Sequence, residues 1–296
     1  MPDPLPHAVT VRAPASSANL GPGFDACGLA LDLHDEVTAR VAGDVRVTVE
    51  GEGAGLLPAD ASHLVVRSMY AGFDALGVRP AGVAVHCRNS IPQARGMGSS
   101  SAAIVAGLLL ARALVADGPA HWPDAAVLRL AGEIEGHPDN VAACLLGGLT
   151  VAWTAREGAR AVRLTPHPDL EPVLYVPTDH GLTCQARAAL PGSVPHRDAA
   201  FAVGRAALLV HALTERPELV FPATEDRLHQ PYRAAAMPAT AALVARLRGH
   251  GVAAVVSGAG PTVLALSPVP SEAEPGAGWK RVECAVAGGA AVRPAG

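Results

Sequence analysis

The chain is predicted to be an α+β protein in two domains. Three observations predict it: β-branched runs interleave with helical periods along the chain, the pattern breaks around residues 157–159, and 296 residues at 50% hydrophobic content are enough for two cores. Val9 and Val11 alternate with polar neighbours as in a half-buried strand, and strand-like runs follow at 36–41 and 45–49. Residues 62–76 have helical spacing and are closed by Gly77, and 83–88 read as a strand. A helix over 102–115 is apolar nearly all round (Ile104, Val105, Leu108, Leu109, Leu110), which predicts burial. A second helix is expected over 124–135, and 147–153 lead into a strand. After the break the mixture repeats, with a strand at 173–176, helices at 198–213 and 239–250, and strands at 252–256, 263–266 and 282–286. Residues 268–278, rich in Pro, Gly, Ala and Glu, read as a surface loop or short helix. The expected division is 1–155 and 156–296, with helices on one face of each sheet.

Composition narrows the function. The net charge is −4, and charged residues are scattered singly, so neither a nucleic acid nor a membrane surface is indicated as partner. Aromatic residues make up 3% of the chain, too few for a base-stacking platform. The five cysteines (Cys27, Cys87, Cys144, Cys184, Cys284) form no CxxC pair, which favours reduced thiols over disulfides or zinc. The first 14 residues lack the basic region and apolar run of a signal peptide, and the apolar stretch after Ala102 is broken by Arg112. A soluble, cytoplasmic protein acting on small molecules is expected.

The sharpest motif is Pro92-Gln93-Ala94-Arg95-Gly96-Met97-Gly98-Ser99-Ser100-Ser101-Ala102, which runs straight into the apolar helix. Gly96 and Gly98 let the backbone approach a ligand, Ser99 to Ser101 are expected to cap the helix, and the helix start attracts anions. It reads as a phosphate cradle. A Walker loop needs a lysine next to its final Ser or Thr, and the only lysine here is Lys280. The kinase strand lysine is missing for the same reason, and a dinucleotide fingerprint needs a glycine where Ser101 stands. Gly98 to Ala102 also has the spelling of a nucleophile elbow, so a serine hydrolase stays open.

Three further clusters carry chemistry. Pro14 to Asp25 follows a strand and delivers Asn19 and Asp25 to one small-residue loop. Glu133, Glu135, His137, Asp139 and Asn140 crowd a helix end and turn, where isolated acids would read as caps or solvated side chains. Ser257 to Thr262 is a small-residue turn between two apolar strands, which could equally be a plain hairpin.

These four segments, in this order and across nearly the whole chain, resemble the GHMP kinase family, most closely its branch acting on homoserine; Thr183 to Arg187 and Gln230 to Arg233 support that branch. The resemblance implies an N-terminal domain with a left-handed βαβ unit, against the usual hand, a ferredoxin-like C-terminal domain, and an active site between them. It further implies that residues 92–102 hold ATP, that Ser100 and Glu133 hold Mg²⁺, and that Arg187 and Arg233 bind a substrate carboxylate. Asp139 would accept the substrate ammonium, Asn19, Asp25, His137 and Thr183 would complete the pocket, and Asn140 would lie near the γ-phosphate. The implied reaction is phosphorylation of L-homoserine on the route to threonine, and the family leaves room for a homodimer. Alternatives are a kinase of the shikimate or mevalonate type, or a non-catalytic nucleotide-binding regulator of the same fold.

Overall fold

Val9, Val11 and Ala13 bury alternate side chains at the start of β1 (Val9–Asn19), but from Ala13 onward every residue of the strand is buried. The computed structural model describes Leu5 and residues 7–178 and 188–294, and it explains the change. Pro14 to Asp25, read from sequence as a loop, is the end of β1 and the start of β2 (Gly23–Ala42), a strand of 20 residues. Small Ala and Ser side chains let these strands lie between helices on one side and a turn of the second sheet on the other. The β1–β2 register shifts after Pro14 and after Ala18, the kind of irregularity that re-aims side chains near a site.

β2 pairs directly with β4 (Gly82–Asn89), and β3 (Arg46–Gly51) lies on the far side of β4 and parallel to it, with α1 (Leu64–Ala75) making the crossover. Then come α2 (Ser99–Ala113), α3 (Gly118–His121), α4 (Asp124–Glu135) and α5 (Asp139–Leu146). α2 packs against α1, α4, α5 and β1 and is buried all round, as its composition requires. β5 (Leu149–Ala155) and β6 (Gly158–Leu164) form a hairpin paired from Leu149↔Leu164 to Ala155↔Gly158, with β5 also on β2. The pattern break at 157–159 is therefore a hairpin turn, and a division after residue 155 would cut it.

The second sheet is built from β7 (Val173–Pro177), which α6 (His196–Thr214), α7 (Val220–Ala223), α8 (Gln230–Arg233) and α9 (Pro238–Gly249) separate from β8 (Ala254–Val256), β9 (Val263–Ala265) and β10 (Trp279–Glu283). Among the described residues its order is β10-β7-β9-β8, all antiparallel. Numbered from β7 this is 4-1-3-2, the ferredoxin-like order. Only a 3₁₀ turn at Ser271–Ala273 stands between β9 and β10, because the prolines of 268–278 forbid a regular helix. β10 begins three residues before the expected 282, since Lys280, Arg281 and Glu283 are exposed and hide the strand period. Finally β11 (Ala291–Pro294) returns to the first sheet beside β1. No helix among the described residues is long and apolar enough to cross a membrane.

Candidate active site

Gly98 is the N-cap of α2 in the left-handed region, φ 70°, and a Cβ there would overlap Ser16 Oγ. A Cβ at Gly96, φ 72°, would overlap the Ser257 carbonyl. The loop is thus held by close backbone approach on both sides: Ser16 N–H donates to Met97 O at 3.1 Å and Thr262 N–H to Arg95 O at 3.3 Å. Arg95 and Met97 are buried, and Ala94 turns at φ 54°. The expected serine cap is absent. The N-cap is Gly98, which has no side chain, and among the described residues no side-chain cap bond closes the start of α2. The leading amides of the helix are consequently left for a ligand.

The serine hydroxyls go elsewhere. Ser100 Oγ and Ser101 Oγ donate to Glu135 Oε1 at 2.6 and 2.9 Å. Glu133, the expected partner, is exposed. Two residues along a helix are about 200° apart, so when Glu135 faces α2, Glu133 faces away. Glu135 is the acid of this corner.

Upstream of the loop, Asp35 Oδ1 accepts Ser90 N–H at 2.7 Å and Ile91 N–H at 2.9 Å. Burial pushes its carboxyl up to about 6, against the pull of those two bonds. Pro92 and Gln93 follow directly. Gln93, Ser99 and Ser100 share a cavity of about 190 Å³ with Leu57, Pro58 and His63. His63 Nδ1 accepts Val65 N–H at 3.3 Å, which leaves the hydrogen on Nε2, a buried donor with no partner among the described residues.

Asp139 opens α5 at 1% exposure. Its Oδ1 lies 2.8 Å from His137 Nδ1 and accepts Asn140 N–H at 2.8 Å. Asn140 Oδ1 accepts Ser16 Oγ at 2.9 Å, so one serine touches both the glycine loop and the acid cluster. Cys27 is buried close by; desolvation and then the Asp139 charge push its thiol up to about 11, so it stays protonated.

The 257–262 turn closes the site from the second sheet and is no plain hairpin. Ser257 Oγ donates to Gly96 O at 2.6 Å and pairs with Ser17 Oγ at 2.8 Å, while Gly258 N–H donates to Ala18 O at 3.1 Å. Asn19 Nδ2 donates to Gly258 O at 2.8 Å, and Asn19 Oδ1 accepts Asp25 N–H at 2.9 Å. Arg233 ends α8 at 2% exposure, with Nη1 3.3 Å from the same Gly258 oxygen and its guanidinium 5.6 Å from the Phe24 ring centre. Asn19, Asp25, Arg233, His137, Asp139, Asn140 and the glycine loop are therefore drawn together through Ser16 and the 257–262 turn. Thr183 and Arg187 lie outside the described residues. His229, which the sequence reading passed over, sits fully buried between Arg233 and the β1–β2 turn; its signal was an Asp226-x-x-His229 spacing at the start of a short helix.

The family profile of the GHMP kinases N terminal domain matches residues 63–148, and that of the GHMP kinases C terminal domain matches 199–282. The homoserine kinase of Streptomyces coelicolor is 60% identical over 261 residues, covering 88% of this chain and 84% of the relative. This chain belongs to the GHMP kinase family. The homoserine kinase of Mycobacterium tuberculosis is 51% identical to this GHMP kinase over 271 residues, covering 89% of the chain and 86% of the relative. The crystal structure of homoserine kinase from Cytophaga hutchinsonii superposes with TM-score 0.83 at 27% identity, over 97% of each chain. The crystal structure of L. major mevalonate kinase in complex with R-mevalonate shares the fold alone, at TM-score 0.64 and 14% identity over 92% of this chain and 91% of that one. Membership sets aside the serine hydrolase alternative, and a GHMP kinase uses ATP as its phosphoryl donor.

Proposed function

We propose that this GHMP kinase transfers the γ-phosphate of ATP to the side-chain hydroxyl of L-homoserine, giving ADP and O-phospho-L-homoserine, the precursor of threonine. The observation that carries the reading is that Arg233 and Asn19 meet on one carbonyl, Gly258 O, next to Ser257, which bonds Gly96 of the glycine loop. A buried cation, suited to a carboxylate, thus adjoins the cradle for the phosphates. Relatives that carry the name homoserine kinase at 60% and 51% identity support the same substrate.

The amides of residues 98–101 at the start of α2 hold the triphosphate, and the cavity at Pro58, His63 and Gln93 receives the nucleoside. Ser100 and Glu135 offer oxygen ligands, which fits Mg²⁺, a hard cation that needs few protein ligands. A Mg²⁺ ion held by these two side chains would neutralise charge on the phosphates. Asp139 accepts the substrate ammonium, with its carboxylate fixed by His137 and the Asn140 amide. Asn140, tied to Ser16, lies toward the transferring phosphate. Phosphoryl transfer has a loose transition state, so positioning suffices and the hydroxyl proton passes to phosphate without a dedicated base. Use of ATP and the absence of disulfides among the described cysteines fit a cytoplasmic enzyme.

The test is release of ADP from Mg-ATP with homoserine, shikimate, mevalonate and galactose supplied separately. Turnover is expected with homoserine; success of another alcohol where homoserine fails refutes the substrate. For Asp139→Asn the homoserine KM is expected to rise. Retained affinity with turnover almost abolished would instead make Asp139 the base.

A further inference from the structure

His229 faces two partners that between them decide where its proton sits. Its ring stacks on Phe24, with centroids 5.2 Å apart and planes 28° from parallel. Nδ1 lies 3.0 Å from Arg233 Nη1, a group that can only donate, so Nδ1 carries the lone pair. Nε2 lies 2.9 Å from Gly21 O, which can only accept, so Nε2 carries the hydrogen. One species satisfies both contacts, the neutral Nε2–H imidazole.

Among the described residues, the charged groups facing the ring are Asp226, Arg233 and Asp25. Asp226 Oδ2 is 3.4 Å from Nε2, but the carboxylate is taken up by the turn into α8, accepting Leu228 N–H at 2.7 Å, His229 N–H at 3.2 Å and Gln230 N–H at 2.7 Å. Burial dominates and holds the imidazole below its usual range despite that neighbour. Arg233 Nη1 has two hydrogens, and both have acceptors: His229 Nδ1 and Gly258 O at 3.3 Å. Two acceptors on one nitrogen fix the plane of the guanidinium.

We infer that His229 is a positioning residue for homoserine binding: its Nδ1 lone pair orients the Arg233 guanidinium, and its Nε2–H latches that assembly to the β1–β2 turn that carries Asn19 and Asp25. The inference rests on the reading of Arg233 as the group that binds the substrate carboxylate. It specifies which half of the imidazole matters for which contact. In His229→Asn the amide oxygen stands near the place of Nδ1 and keeps an acceptor for Arg233. In His229→Gln the amide nitrogen stands near the place of Nε2 and keeps a donor for Gly21, while the acceptor is lost.

The experiment measures KM and kcat for homoserine and for ATP in His229→Gln, His229→Asn and Arg233→Ala. His229→Gln is expected to raise the homoserine KM by about tenfold or more, the scale of one lost hydrogen bond to a charged group, with the ATP KM unchanged. His229→Asn should restore it to within about threefold of the wild type, a residual effect below one such bond. Equal homoserine KM values in the two variants, or an ATP KM that climbs in step, would mean that His229 only fills space and overturns the inference. Arg233→Ala separates the two ideas: an unchanged homoserine KM there defeats the carboxylate reading itself, whereas a raised one beside a normal His229→Gln defeats only the positioning role. A second measurement needs no variant. The ¹⁵N spectrum of the wild-type protein should show His229 as the neutral Nε2–H tautomer near neutral pH, and an imidazolium or an Nδ1–H signal would overturn the inference regardless of how the variants fold.

Discussion

The two ends of the site are built from different materials. The proposed phosphate end is backbone: helix amides, a left-handed Gly98, and carbonyls of residues 95 and 97 bonded to the amides of Thr262 and Ser16. The amino-acid end is side chain: Arg233, Asn19, Asp139 and His229, each presented by a turn or a short helix and locked by one or two hydrogen bonds. Backbone cradles tolerate changes of chemistry and fail on added volume; side-chain pockets behave the opposite way.

The largest test of that contrast is Gly98→Ala. One methyl group would overlap Ser16 Oγ and face a positive φ, so we expect kcat/KM for ATP to fall by about 10²–10³-fold, comparable to loss of preorganised donors elsewhere. Steady-state kinetics with normal homoserine affinity would sharpen the contrast, and near-wild-type activity would break it. Arg233→Ala comes next, with about a hundredfold rise in homoserine KM and no change for ATP, the scale of truncating one partner of a buried charge pair. A smaller effect separates the two glutamates of α4. Glu135→Gln should lower kcat about tenfold and raise the Mg²⁺ needed for half-maximal rate, as expected when a carboxylate ligand is lost. Glu133→Gln should change neither, because its side chain is exposed, and a Mg²⁺ titration of both variants checks the assignment.

The smallest effect concerns the strut beneath the loop. Asp35 titrates at about 6 when folded against 3.8 in its ordinary state, so between those values the folded chain binds the extra proton. Stability therefore falls as pH rises through that window, and above it the full cost of the buried charge is present. Asp35→Asn keeps an oxygen for the amides of Ser90 and Ile91 but removes the charge. It should gain about 1–3 kcal/mol of stability above pH ~7 and nothing near pH ~4. Urea unfolding of the wild type and the variant at the two pH values checks this.

Much of this was legible in the residues, and the failures have physical reasons. The α4 helix occupies 124–135 as its spacing predicts, and the glycine loop stands at the mouth of a buried helix as composition demands. Pro14 to Asp25 misled because small residues with glycines look like a loop whether they are solvated or squeezed between layers. Serines before a helix suggested side-chain caps, but a cap needs the oxygen to fold back on its own turn, and here Glu135 draws two of them away. The choice between Glu133 and Glu135 depends on the rotation of α4 against α2, a tertiary quantity. His229 escaped notice because a lone histidine carries no period; only the carbonyl and guanidinium at its two nitrogens give it meaning.

The edge strand β11 has a consequence for how this molecule assembles. Residues 291–294 zip onto the first strand of the chain, so the earliest and latest stretches must meet before that sheet is complete. Such a distant pairing bears a large loop-closure entropy and arrives late. Until it does, β1 presents an open row of amides and carbonyls to any other nascent copy, and removing residues 291–294 would leave that row open to edge-to-edge pairing in the folded protein as well.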